Sequence, residues 1–313
     1  MSIRAVVFAH HDVGVRCLLA LHSAGVDVPL VFAHAPDPGE NQWYGSVIEL
    51  ARELRIPVVT PRNPDSDEWE QRIAGHAPDF IFSFYYRSMI AAPVLRLGRL
   101  GAFNMHGSLL PDYRGRAPVN WAILHGEAWT GATLHYMVER ADAGDIVDQQ
   151  AVPILTDDDA RTVFGKVTVA AEIVLARSLP HLIAGTASRT PQDPGAGKYF
   201  GRRSPEDGRI DWRWPAERIH NLVRAVAPPF PAAFGEVAGA TWWIHRTRRM
   251  ANRQPVPGAP RLFAETGRVL VSCGDGACLE ILAGRTSAGA IDIQRLAREL
   301  TAAPLQLIAR KAG

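Results

Sequence analysis

Three polar residues in this sequence could act together on a carbonyl group. Asn104 and His106 close the apolar run "LGAFNMH" (100 to 106), and Asp142 lies within "ERADAGDI" (139 to 146). Two-residue spacing in an extended chain puts Asn104 and His106 on one face, with Met105 turned the other way. An amide donor, an imidazole and a carboxylate at one sheet edge make an acid/base set, because a nearby carboxylate favours the protonated imidazole. A plainer role is open to each: Asn104 as a strand cap, His106 as a satisfied surface histidine, Asp142 as a solvated turn aspartate beside Gly144. The segment after His106, "GSLLPDYRGRAP", has two glycines and two prolines and the length of a binding loop, which weighs toward chemistry.

The elements that must hold these residues are legible as alternating patterns. "IRAVVFAH", "VPLVFAH", "IPVVTP", "DFIFSFY" and "LGAFNMH" are short continuous apolar runs of the kind buried on both faces of a parallel sheet. Between them, "GVRCLLALHSAG", "WYGSVIELAREL", "DEWEQRIAGH" and "SMIAAPVLRLG" space apolar residues three and four apart, as helices do. The alternation predicts right-handed crossovers and a mostly parallel sheet whose ligands bind beyond the carboxyl ends of the strands, where residues 104 to 106 fall. "TGATLHYMV" and "IVDQQAVPI" predict two more strands, and "DDDARTVFGKVTVAAEIVLARSLPHLIAG" a long closing helix. The first domain is therefore expected over residues 1–186. Residues 187–208, rich in Pro, Gly and polar side chains, read as a linker. From 209 to 313 a helix, "PAERIHNLVRAV", precedes short alternating runs split by "AGA" and "GDG" turns, which predicts a small antiparallel barrel with a terminal helix.

Bulk properties exclude several classes of function. With 34 Lys+Arg against 32 Asp+Glu the net charge is +2, and no window gathers five or six like charges, so a nucleic acid partner is not expected. Cys17, Cys273 and Cys278 lack CxxC spacing, which argues against a disulfide framework or a thiolate metal site and fits a reducing cytoplasm. The N-terminal apolar run is too short for a signal peptide, and no other reads as a membrane span, so no membrane insertion is expected. No GxGxxG is present to bind NAD.

Asn-x-His, followed by "SLLPxYRG" and a later Asp within "ADAG", resembles the folate-dependent formyltransferases, which move a one-carbon group from 10-formyltetrahydrofolate to an amine. The resemblance implies a Rossmann-like first domain followed by a smaller, OB-like antiparallel barrel, and catalysis without a metal. It implies Asn104 polarising the formyl oxygen, His106 as acid/base and Asp142 as the carboxylate that supports it. Folate contacts carry over to Ser88, Met89, Ile90, Arg116 and the segment Val138, Glu139, Arg140, Ala141 and Asp142. Tyr86, Arg87, Arg114 and Asn120 are candidates on the side of the acceptor.

The acceptor is read from other segments. Glycinamide-ribotide enzymes carry a glycine-rich phosphate loop after the first strand, where this chain has "AHHDVG". Methionyl-tRNA formyltransferases typically insert a basic loop after the second strand; here "APDPGENQWYG" has two acids and no Lys or Arg. The same loop, with "IFSFYYRSMI", "MVERADAGDIV" and "YFGRRSPEDG", resembles the branch that formylates the 4-amine of UDP-4-amino-4-deoxy-L-arabinose, a lipid A modification linked to polymyxin resistance. Formylation of a dTDP-4-amino-6-deoxyhexose, methionyl-tRNA formylation and a catalytically silent folate- or nucleotide-binding module are the alternatives. Oligomeric state stays open, a homo-oligomer included.

Overall fold

Continuous runs of Val, Ile and Phe leave no polar face, so the strands they form are buried on both sides. In the computed structural model, which describes residues 2–307 apart from 38, 40, 194, 251 and 252, five such strands run parallel. They are β1 (Arg4–Ala9), β2 (Asp27–Phe32), β3 (Val58–Val59), β4 (Phe80–Phe84) and β5 (Gly101–His106), in the spatial order β3-β2-β1-β4-β5. All five residues of β4 are buried, which is why its sequence shows no alternation. Short β6 (Arg114–Gly115) lies in the loop after β5, and β7 (Trp129–Tyr136) and β8 (Ile146–Pro153) extend the sheet antiparallel beyond β5. The crossovers carry α1 (His11–Ser23), α2 (Val47–Glu53), α3 (Asp67–Gly75) and α4 (Ala92–Leu95). On one face Phe8, Phe32 and Ile81 pack with Ile73 and Val94, each worth about 1.5–3 kcal/mol when fully buried.

Two sequence expectations change here. The helix expected from Ser88 shrinks to α4, because it starts only where Pro93 fits its first turn; Ser88, Met89 and Ile90 are loop residues ahead of it. A later helix is also more apolar than the sequence reading allowed. After α5 (Pro118–His125), α6 (Ala160–Ala184) is long and apolar enough by composition to cross a membrane, although half of its apolar window is buried in the fold, as in a core helix.

The chain divides into two compact units that are not contiguous in sequence. The first takes Met1–Pro118, Trp129–Pro153 and Phe164–Gly201; the second takes Val119–Ala128, Ile154–Val163 and Arg202–Gly313. Within the first, β9 (Tyr199–Phe200) pairs in parallel with β6. The second holds α7 (Ala216–Ala225), β10 (Ala233–Val237), β11 (Ala240–Arg249), β12 (Arg261–Glu265), β13 (Arg268–Ser272), β14 (Cys278–Thr286), β15 (Gly289–Ala290), α8 (Ile293–Ala302) and β16 (Leu305–Gln306). Its sheet is antiparallel in the order β10-β11-β14-β13-β12-β16, a curled half-barrel with β10 and β16 at its ends.

Buried polar groups tie the two early segments into this second unit. Asn120 Nδ2 donates to Ala225 O at 2.7 Å, and His220 Nε2 lies 3.0 Å from Thr156 O. Arg224 donates to Leu155 O at 3.2 Å and to Asp158 O at 2.8 Å. Carbonyls buried in this way need such donors.

Candidate active site

The site forms where β5 ends, and strand register assembles it. The antiparallel pairing of β5 with β7 sets Asn104 opposite His135 and His106 opposite Thr133. Paired residues project from the same face, so His135 joins Asn104 and His106. Asn104 Nδ2 is 3.1 Å from His135 Nε2 and 3.5 Å from Asp142 Oδ1. His106 Nε2 is 2.8 Å from Tyr113 O, and its Nδ1 is 3.5 Å from Asp142 Oδ1. A carbonyl only accepts, so Nε2 of His106 carries a hydrogen and Nδ1 is left facing the carboxylate. By the same reasoning His135 donates through Nδ1 to Tyr136 O at 2.9 Å, and its Nε2 accepts from Asn104.

Asp142 is the hub. Its Oδ1 faces both imidazoles, His135 Nε2 at 3.6 Å, and its Oδ2 accepts the Gly115 N–H at 2.8 Å. Burial alone would push its carboxyl up. The charge of the His106 ring first, with the neighbouring His135 and the Gly115 N–H, outweighs that and holds it well below the usual carboxylate range. Asp142 is therefore an anion at neutral pH, and its backbone sits at φ +53, a conformation Asp tolerates better than most residues. Two residues on, a Cβ at Gly144 would stand 1.9 Å from Tyr136 O, so only glycine lets the turn lie against the end of β7.

The other expected site residues divide by surroundings. Ile90 is buried and, with Met137, packs on the cluster that contains Ala102, which brings the bases of the 88–90 and 138–142 segments to one side of the sheet. From those segments Met89 (60 % exposed) and Val138 (42 %) present apolar surface, while Ser88, Glu139, Arg140 and Arg116 are exposed. Arg114 is buried; its Nε donates to Pro111 O at 3.2 Å, and its guanidinium also donates to Ala196 O. With Arg140, Ala141, Gly197 and Tyr199 it lines a cavity of about 230 Å³. Tyr86 is buried and stacks on His34 with ring centres 4.2 Å apart, and Arg87 donates to Tyr44 at 3.3 Å. Asn120 belongs to the second unit, where its amide holds α7. Among the described residues no group of three or more His, Cys, Asp or Glu is placed to hold a metal ion. In the loop read as acidic, 36 to 45, Pro38 and Glu40 lie outside the described residues.

Residues 4–179 match the model of the formyl transferase family, and residues 202–298 match its C-terminal domain. The chain belongs to the folate-dependent formyltransferases. Solved structures share its fold. The N-formyltransferase from Helicobacter canadensis, in complex with folinic acid and dTDP-3-aminofucose, is 21% identical at a TM-score of 0.70, over 90% of this chain and 99% of that one. The sugar 3N-formyltransferase WlaRD, with dTDP and 5-N-formyl-THF, is 20% identical at 0.70, over 92% and 98%. HypX from Aquifex aeolicus, in complex with tetrahydrofolic acid, is 18% identical at 0.63, over 96% of this chain and 48% of that one.

Proposed function

We propose that this protein transfers the formyl group of 10-formyltetrahydrofolate to the 4-amine of a nucleotide-linked amino sugar in the cytoplasm, UDP-4-amino-4-deoxy-L-arabinose first among them, as a step of lipid A modification. The observation that carries the reading is the convergence of Asn104, His106 and Asp142 on one point at the end of β5. A neutral amine attacks the formyl carbon and negative charge grows on its oxygen, so an amide N–H and an imidazolium belong there. Of the two contacts Asn104 Nδ2 makes, the one to Asp142 is at the limit of a hydrogen bond. That N–H is the one to meet the oxyanion, while His135 keeps the amide oriented. Breakdown needs a proton on the departing folate nitrogen, relayed by His106 or by a water held at Asp142.

The fold supports a position for each of the two substrates. The segments 88–90 and 138–142 supply an apolar rim in Met89 and Val138 for a pterin, with Arg116 and Arg140 as cations for the acid tail. Strand order reverses between β1 and β4, the switch point where open parallel sheets take nucleotides. Aromatic pairs gather there: His11 stacks on Tyr44 at 4.4 Å, and His34 on Tyr86. Such rings suit a base, and Arg87 beside them suits a diphosphate. A dTDP-linked amino sugar is the second candidate acceptor, supported by the dTDP-3-aminofucose bound to the Helicobacter canadensis fold neighbour. Free, buried cysteines agree with a reducing compartment.

The test is release of tetrahydrofolate from 10-formyltetrahydrofolate with a panel of UDP- and dTDP-linked amino sugars and initiator methionyl-tRNA. Turnover is expected only with the amino sugars, and Asn104→Ala should lower kcat by roughly 10² to 10³, the usual loss for one oxyanion donor. Efficient, salt-sensitive turnover of the tRNA, or none with any sugar, overturns the acceptor.

A further inference from the structure

Where the stretch expected as a linker passes the site, it grips it. Arg189 Nε pairs with Asp145 at 2.6 Å, Thr190 exchanges both backbone hydrogen bonds with Ile146, and β9 pairs with β6 in the loop that follows His106. Between these anchors Gln192 Nε2 donates to Asp142 O at 3.0 Å and to Gly144 O at 2.6 Å. The two hydrogens of one amide thus hold the two carbonyls that bracket Ala143. The amide cannot be turned over, since its oxygen would then face two acceptors. Asp142, at positive φ, sits in a conformation that its own backbone does not favour and that the surroundings must hold.

We infer that Gln192 is a positioning residue for formyl transfer: its amide clamps the 142–144 turn so that the Asp142 carboxylate stays against His106 and His135. The inference rests on the function proposed above. The hydrogen bonds of Gln192 go to the turn and not to either imidazole, so it acts through the turn that carries Asp142. Sequence alone hides it, because a glutamine in "RTPQDPGAG" reads as any polar linker residue.

The variant is Gln192→Met, which keeps the length of the side chain and removes both donors. Its kcat should fall about tenfold while KM for both substrates stays within about twofold, as for a small misplacement of a reacting group. Added to Asp142→Asn it should cost no more than about a further twofold, since no carboxylate is left to position. A further tenfold loss in that double variant would show that Gln192 acts elsewhere and overturn the inference. An arm independent of turnover reads the ring 15N signals of His106 and His135, which should move in Gln192→Met in the direction they move in Asp142→Asn. Ring signals unchanged from wild type overturn the inference as well. If the wild type formylates nothing yet the rings respond, the acceptor reading fails and the clamp stands. Melting temperatures accompany each variant; should Gln192→Met unfold, Gln192→Asn, which keeps the donors but shortens their reach, is read by the same two arms.

Discussion

Gly144→Ala strikes the turn that carries Asp142 with one methyl group. The added Cβ would stand 1.9 Å from Tyr136 O and 3.4 Å from Val138 Cγ1. Non-bonded carbon and oxygen need roughly 3 Å or more, so something must retreat by about 1 Å. Tyr136 O belongs to the backbone at the end of β7 and already accepts from His135 Nδ1, so it cannot swing aside as a side-chain tip would. Gly144 is not among the glycines at positive φ, and the obstacle is space alone. Relief therefore falls on the turn that carries Asp142 or on the carbonyl that orients His135, and either displaces the proposed acid/base set. A 1 Å misplacement costs about 10²-fold in rate, and overpacking of this kind costs about 1–3 kcal/mol of stability. Steady-state formyl transfer and a thermal melt measure both quantities. A variant with kcat within about threefold of wild type and an unchanged melting temperature would refute the reasoning.

Two further predictions concern stability. A methyl group added at Gly165, inside α6, would meet nothing within 4 Å, and the residue has no positive φ; Gly165→Ala should therefore stabilise the protein by roughly 0.5–1 kcal/mol, seen as a raised melting temperature with unchanged activity. His220 is buried, and burial lowers its pKa against the partly opposing pull of the Thr156 carbonyl. A histidine lowered in the folded state adds stability that is complete above its unfolded pKa of about 6.5 and fades as pH falls toward the folded value. The melting temperature should drop between pH 7 and 5, and His220→Gln should flatten that drop; equal slopes in the two proteins would refute it.

Asn104, His106 and Asp142 were legible as candidates because strand-end polar residues at two-residue spacing, and an aspartate among small residues two before a glycine, are local patterns. His135 was not disclosed. It is one polar residue in the alternating run "TGATLHYMV", and only the antiparallel register of β5 and β7 sets it opposite Asn104. The parallel strands were legible from continuous apolar runs, but β12 was not, since "RLFAE" is short and charged at both ends. The grip of residues 189–200 on the site is made largely of backbone pairing and one amide, which leaves no hydrophobic period to read. Nor could periodicity reveal that residues 119–128 and 154–163 fold with the second unit, because the contacts that join them to it, such as Asn120 with Ala225 and Thr156 with His220, cross long separations in the chain.

Those separations set an order of events on the ribosome. Asn120 and the carbonyl of Ala225 that receives its amide are 105 residues apart in the chain. At about 5–20 residues per second, roughly 5 to 20 seconds of translation pass between the synthesis of one and of the other. Throughout that interval Val119, Ala122 and Ile123, fully buried in the finished protein, belong to a helix whose compact unit is still incomplete. Apolar surface left waiting in this way is what chaperones bind, and a slowed ribosome anywhere in the 130–225 stretch would lengthen the wait without altering a single residue.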